Sequence, residues 1–106
     1  MLNPIMQDIL NVAKNILSNE IDIVTGSRTI SILRHNYKFV DETIFNFFVH
    51  IDSEYDHLPF DDVEKLCSKK LLEKKKCEIK KAQKMYKSDV DDACRNLIEY
   101  LNKIEK

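Results

Sequence analysis

Glycine and proline are scarce in this chain, which has one glycine, two prolines and no tryptophan among 106 residues. All-β folds need turn-forming residues at intervals of about eight to twelve positions, so this scarcity favours helices. No apolar run reaches the length of a membrane span. The first residues also lack the basic segment and apolar core of a signal peptide. We therefore expect a soluble helical protein without a membrane partner.

The cysteines are few, and their pattern argues against a disulfide framework. Cys67, Cys77 and Cys94 are odd in number and widely spaced, and no C-x-x-C motif occurs. Small secreted domains instead carry even numbers of cysteines that pair with one another. The pattern predicts reduced thiols and a cytoplasmic location.

The length and overall charge set further bounds. A chain of 106 residues is expected to form one domain, residues 1–106, with a single modest core. Its composition is 43% hydrophobic and 33% charged, which is typical of a globular domain with a heavily charged surface. The net charge is −1, so the molecule as a whole has no strong attraction to nucleic acid or to an anionic membrane.

Apolar residues at helical spacing predict two helices in the first third of the chain. Asn3 can cap the first helix, with a proline directly after it, and Ser18-Asn19 is the expected exit. The β-branched run from Ile21 to Val24 has no second strand to pair with, so we interpret it as the entry to the second helix. Gly26 is expected to mark a tight contact or a bend.

Phenylalanines concentrate in the middle of the chain, between Phe45 and Ile51, after a capping candidate at Asp41. Apolar side chains wrap more than half of this segment. We therefore expect the third helix to be the most buried, central in the fold and packed against the first and last helices. Pro59 disfavours helical geometry at the preceding residue, which predicts a loop from Asp56 to Asp61.

The last third of the chain has the longest helical pattern. Ser68 is a capping candidate, and apolar residues recur at steps of three, four or seven from Leu72 to Ile104. This predicts one helix of roughly 35 residues, or two helices broken near Ser88-Asp89. A short turn is also expected at Asp61 or Asp62. The predicted fold is an all-α, single-domain bundle of four to five helices with a long C-terminal helical region.

Charge is segregated along the chain although the total is near zero. Positions 52–64 contain six acids and no lysine or arginine, whereas positions 65–87 contain ten lysines against Glu73 and Glu78. Such separation creates local fields that steer partners. The six acids are Asp52, Glu54, Asp56, Asp61, Asp62 and Glu64.

The acidic cluster has several chemical interpretations. The spacing D-x-E-x-D is similar to the start of a calcium loop, but His57 stands at the glycine position and Val63 at the position of the final carboxylate. Acid–base catalysis by His50 or His57 remains open, as does a surface role for them. We favour a structural interpretation in which Arg28 or Arg34 pairs with Asp52 or Glu54, and we expect no cofactor or metal.

The lysine run permits two interpretations. It can be a solvated helix face that complements the acidic loop, or it can follow a phosphate backbone. No aromatic residue for base stacking and no arginine lies within it. We therefore favour the solvated face and keep a nucleic-acid-binding or regulatory adaptor as the alternative. The lysines concerned are Lys69, Lys70, Lys74, Lys76, Lys80, Lys81 and Lys84.

Two motifs resemble a known class of proteins. G-S-R-x-x-x-x-L-R from Gly26 to Arg34 and F-F-V-H-I-D-S-E-Y-D-H-L-P from Phe47 to Pro59 are similar to segments of small, all-helical bacterial immunity proteins of contact-dependent growth inhibition and related polymorphic toxin systems. The resemblance covers roughly positions 20–100. The shared positions are Gly26, Arg28, Arg34, Asp52, Ser53, Glu54, Asp56 and Pro59.

The resemblance implies a non-enzymatic protein that binds a cognate toxin domain, frequently a nuclease, and blocks it. Nuclease active sites are positive because they bind phosphates, so clustered carboxylates on an inhibitor favour fast, steered association. The acids not assigned to internal ion pairs are the predicted partner-binding residues. They are Asp56, Asp61, Asp62 and Glu64.

Overall fold

The computed structural model describes residues 3–104, except for the side chains of Asp61 and Asp62. Within this range the fold is all-α and compact, without a β-strand, as the sequence predicts. Two 3-10 turns, Arg34–Asn36 and Glu42–Phe45, lie between the second and third helices. The α-helices are α1 (Pro4–Leu17), α2 (Ile23–Leu33), α3 (Asn46–Glu54), the single turn α4 (Asp61–Glu64) and the long α5 (Lys69–Ile104).

The ends of α1 and α2 follow the capping pattern of the sequence. Asn3 accepts a hydrogen bond from the backbone N–H of Met6 at 2.9 Å, and Ser18 is the C-cap of α1. Asp22 caps α2 through the N–H of Thr25 at 2.8 Å. Ile21 to Val24 therefore forms the entry and first turn of α2. Asn19, with φ of 63°, adopts the left-handed conformation that ends many helices.

The central helix of the fold is α2, and the expectation that α3 is central and most buried is wrong. Six of the eleven residues of α2 are buried, against two of nine in α3. Helix α2 packs against α1, α3 and α5. The small residues Gly26, Ser27 and Ser31 are buried on α2, and small side chains allow neighbouring helices to approach closely.

Helix α3 packs mainly against α2 and less extensively against α5, and its contact with α1 is at most marginal among the described residues. The expected packing against the last helix is therefore confirmed, whereas the expected packing against the first helix is wrong. Phe45, Phe48 and Ile51 are fully buried, while Phe47 is half-buried beside Tyr86. The aromatic anchor is therefore part of the core, with one of its rings at the edge.

Helix α5 is one continuous helix of 36 residues, so the break considered at Ser88-Asp89 does not occur. Ser68 caps it by accepting from the N–H of Leu71 at 3.2 Å. Most of its buried residues lie in the C-terminal two thirds, namely Ala82, Val90, Cys94, Leu97 and Leu101. Before Ala82, Lys75 is its only described buried residue. The first turns of α5 therefore present most of their circumference to solvent.

Two polar contacts fix α5 against the first two helices. Gln83 Oε1 accepts from the backbone N–H of Ile23 at 2.7 Å, which satisfies a free donor at the start of α2. Lys87 Nζ donates to the carbonyl of Ile16 at 2.6 Å, near the end of α1. None of the described helices is both long enough and apolar enough to span a lipid bilayer.

Candidate partner-binding surface

The loop between α3 and α4 is anchored by buried apolar residues. Leu58, Pro59 and Phe60 are all buried. The guanidinium carbon of Arg28 lies 4.6 Å from the centroid of the Phe60 ring, and Lys75 Nζ lies 4.4 Å from it. Both cations gain from the negative face of the ring. Phe60 thus links the loop to α2 and α5 at once.

Ion pairs surround this aromatic contact. Arg28 Nη1 lies 3.5 Å from Asp52 Oδ1, which is one of the pairs expected from the sequence. Lys75 Nζ lies 3.2 Å from Glu64 Oε2. The two cations over Phe60 therefore each hold a carboxylate, one on α3 and one on α4. The loop is held from both sides, and its backbone is pre-organised.

His57 supplies a third attachment of the loop to α5. Its Nε2 lies 3.0 Å from Glu78 Oε1, and its ring stacks on Tyr55 with centroids 6.4 Å apart. Because a hydrogen bond to a carboxylate orients the imidazole, this contact fixes the ring of His57 against α5.

Two of the expected ion-pair residues have different partners. Arg34 does not reach Asp52 or Glu54, and its Nη1 lies 3.6 Å from Glu42 Oε2 in the second 3-10 turn. Glu54 faces away from both arginines. It accepts a hydrogen bond from the Tyr86 hydroxyl at 3.0 Å and lies 3.7 Å from His50 Nε2. The sequence spacing placed these acids on α3 but did not define the face that each would occupy.

The hydrogen bond from Tyr86 to Glu54 raises the pKa of the Tyr86 phenol, because the bond favours the protonated form. Burial and the nearby Glu54 charge also raise the pKa of Tyr55. Both phenols therefore remain neutral at physiological pH and act as packing and hydrogen-bonding groups. Neither is arranged as a base or nucleophile.

The predicted partner-binding acids separate into three cases. Asp56 is exposed, and no hydrogen bond or ion pair joins it to another described side chain. Glu64 is half-buried and forms an ion pair with Lys75, which the sequence analysis did not assign to it. The side chains of Asp61 and Asp62 lie outside the part of the chain that the structure describes. Of the predicted partner-binding acids whose side chains the structure describes, Asp56 is therefore the one with a free carboxylate.

Apolar side chains are exposed beside Asp56. Leu66 is 87% exposed, Val63 is 59% exposed and Leu71 is 43% exposed. A cleft of about 380 Å³ lies between the loop and the start of α5, with Asp56, Val63 and Leu71 among its lining residues. We call Asp56, Val63, Leu66 and Leu71 the acidic-apolar surface. Exposed apolar residues with charged neighbours are typical of protein interfaces.

The described side chains offer little for metal or covalent chemistry. No three His, Cys, Asp or Glu residues among them come together as metal ligands. Cys67 donates its thiol to the carbonyl of Val63 at 3.3 Å, and Cys94 is buried. Burial raises the pKa of the Cys94 thiol to about 12, so it stays protonated and unreactive.

The lysine run does not complement the acidic loop in the way the sequence suggested. The ion pair with Glu64 of α4 is made by Lys75, which was absent from the predicted lysine face. The seven predicted lysines are all exposed, and none makes an ion pair with a described side chain. Their positive charge is therefore not neutralised within the described chain.

Sequence reasoning missed Lys75 and Phe60 as structural residues. A signal for Lys75 was present, because it lies on the apolar stripe of α5 at helical steps from Leu72, Ile79 and Ala82. A lysine on such a stripe buries its stem and needs a carboxylate for its charge. Phe60 directly follows a proline in a short loop and carried no comparable periodic signal.

Comparison of the chain with known protein families, with curated proteins and with solved structures finds no match. The resemblance of the Gly26–Arg34 and Phe47–Pro59 motifs to immunity proteins therefore stays a prediction. Within the fold, the first motif supplies α2 and the second supplies α3 with the loop. Arg28 and Asp52, one from each motif, are in contact.

Proposed function

We propose that this chain is a non-enzymatic binding protein that neutralises a cognate toxin domain in the cytoplasm, with its acidic-apolar surface as the contact. The observation that supports the proposal is the anchoring of the loop between α3 and α4. Phe60, Arg28 and Lys75 hold a segment whose neighbours Val63 and Leu66 nevertheless remain exposed. A fixed backbone loses little conformational freedom on binding, which increases the affinity available from a small surface.

The charge of the surface defines the kind of partner. Asp56 is free to meet a basic group, and an exposed carboxylate accelerates encounter with a positive cleft. Val63, Leu66 and Leu71 add exposed apolar area, and the burial of such area is the dominant favourable term in most protein–protein association. A nuclease domain fits this chemistry, because its substrate cleft is positive. The resemblance of the two motifs to immunity proteins supports the same class of partner.

The test begins with the gene immediately upstream. We expect it to encode a large protein with a C-terminal toxin domain, and expression of that domain should arrest growth. Co-expression of this chain should restore growth and form a stable complex with the toxin domain. A chain with Leu66→Asp and Val63→Asp should lose rescue although it folds, since both side chains are exposed. Full rescue by this double variant would show that the toxin domain contacts another face of the protein.

A neighbouring gene that encodes no toxin domain would contradict the proposal at its first step. If the domain is present and toxic but is not bound by this chain, the immunity function is equally excluded. The matched control variant is Ile32→Asp with Val40→Asp, because both residues are exposed and lie outside the acidic-apolar surface. This control should rescue growth as well as the unmodified chain.

A further inference from the structure

The first half of α5 carries an unusual concentration of free positive charge. Between positions 69 and 84, ten residues are exposed, and seven of them are lysines. The other three are Leu71, Glu73 and Cys77. The seven lysines have no ion-pair partner among the described side chains. A net charge of −1 for the chain conceals this local excess.

The lysines form two rows on opposite flanks of the helix. One row consists of Lys70, Lys74 and Lys81, at steps of four and seven. The other row consists of Lys69, Lys76 and Lys80, at steps of seven and four. Residues separated by such steps lie on one side of an α-helix. Lys84 lies between the two rows on the outward side. The buried Lys75 marks the opposite, inward side, which contacts Phe60.

This part of α5 is accessible because the body of the protein covers little of it. Before Ala82, the inward side of the helix meets the loop that carries Phe60 and His57, contacts Glu64, and packs Ile79 against the core. The molecule measures 48 × 27 × 21 Å, and α5 accounts for its length. From Lys69 to Lys84 the helix runs for about 23 Å. Its outward half is therefore free along about four turns.

We propose that this lysine-bearing half of α5 binds the phosphate backbones of duplex DNA, with the helix lying in the major groove. An α-helix with its side chains is about 10–12 Å wide, and the major groove of B-DNA is about 12 Å wide. In that placement one lysine row faces each phosphate strand. This inference does not rest on the proposed toxin-binding function, since it concerns other side chains and another partner.

The side-chain types define which nucleic acid fits. No aromatic residue and no arginine occurs between positions 69 and 84, so aromatic base stacking and the rigid, planar fork by which arginine reads guanine are both absent from this segment. The expected binding is independent of sequence and prefers a duplex over a single strand. Duplex RNA has a deep and narrow major groove that does not admit a helix, so DNA is the preferred duplex.

The test is titration of the full chain into a short fluorescently labelled DNA duplex, followed by anisotropy, between about 50 and about 200 mM salt. Each lysine–phosphate contact contributes about −0.9 to the slope of log K against log salt. Four or five contacts therefore predict a slope of about −4. Failure to bind the duplex at the lowest salt concentration would overturn the proposal.

Charge-removal variants assign the binding to the helix. Lys74→Gln, Lys76→Gln and Lys80→Gln together remove three charges from both rows and keep residues that favour helices. This variant should reduce the slope by about 2–3 and the affinity at least tenfold at low salt. The matched control removes three exposed lysines elsewhere, through Lys14→Gln, Lys38→Gln and Lys103→Gln. Equal losses in the two variants would show a general charge effect and would overturn the assignment.

Three competitor polyanions complete the experiment. Unlabelled duplex DNA should displace the labelled duplex at a lower phosphate concentration than duplex RNA or single-stranded DNA of the same sequence. Poly-L-glutamate, which stands for an acidic protein surface, should compete least per unit charge. If poly-L-glutamate competes as well as duplex DNA, the lysine rows recognise acidic protein chains, and the duplex proposal is wrong.

Discussion

Ile16 of α1 lies directly against Gly26 of α2. A Cβ atom on Gly26 would stand 2.5 Å from both Cγ1 and Cδ1 of Ile16. Ile16 is itself fully buried, so it has little space into which to move. The single glycine of the chain is thus required by an interhelical contact, although glycine within a helix is unfavourable in itself.

Gly26→Ala should therefore destabilise the protein although it raises helix propensity. Alanine gains about 1 kcal/mol over glycine in a helix. Overpacking of a core typically costs about 1–3 kcal/mol, and a contact of 2.5 Å with a fully buried partner belongs at the upper end. Urea unfolding of Gly26→Ala, Ile16→Val and the double variant measures the coupling free energy between the two positions. Ile16→Val should be less harmful in the presence of Gly26→Ala, and purely additive losses would disprove the contact.

Phe48→Ala should cost about 3–5 kcal/mol of unfolding free energy, because the ring is fully buried between α3 and the core. Phe47→Ala is the matched control, since Phe47 is only half-buried next to Tyr86. We expect a clearly smaller loss for it. Chemical denaturation with circular dichroism measures both values, and equal losses would show that the rings are equally buried in solution.

Phe60→Leu should loosen the loop more than it destabilises the whole fold. Leucine fills most of the space but removes the ring face that Arg28 and Lys75 contact. Backbone amides of residues 55–64 should exchange faster with solvent, while those of α1 and α2 change little. Phe39→Leu is the control, because Phe39 is buried to a similar extent but packs edge-to-face against Phe45. Unchanged exchange in the loop would mean that Phe60 does not anchor it.

Alkaline pH should destabilise the protein through Cys94. Its pKa is raised by burial from an ordinary 9.0 to about 12, so the unfolded thiol ionises at a lower pH than the folded one. The stabilising contribution is therefore fully present below about pH 9 and is lost between about pH 9 and 12. Cys94→Ala should reduce the loss of unfolding free energy between about pH 8 and pH 10. Above about pH 10, further loss should come from Tyr55 and Tyr86, because burial and contact with Glu54 raise their pKa values from the ordinary 10.0.

Asp56→Lys should slow association with the toxin domain while leaving stability nearly unchanged. Exposed charges contribute little to folding, but they steer encounter with a charged cleft. Stopped-flow rates over a salt series should show a reduced salt dependence for the variant. Glu99→Lys is the control, because Glu99 is exposed near the far end of α5. Identical association rates for Asp56→Lys and the unmodified chain would remove Asp56 from the contact.

The sequence alone determined the helices and their ends. The predicted caps Asn3 and Ser68 both cap the helices that follow them, because capping depends on residues within one turn of each other. Asp41 instead caps the 3-10 turn that precedes α3. The all-α class follows in the same way from the scarcity of turn residues. The Arg28–Asp52 contact was also expected, since a guanidinium near the core needs a carboxylate.

Only the tertiary structure decided which helix is central and which charges remain free. The phenylalanines made α3 the expected centre, but small residues let α2 accept neighbours on three sides. Lys75 and Lys76 are adjacent and chemically identical, yet one is buried against Phe60 and Glu64 while the other is exposed. The apolar stripe of α5 placed Lys75 on the inward face, but only the tertiary structure decided that Phe60 and Glu64 meet it there, because these contacts join segments that are distant in the sequence.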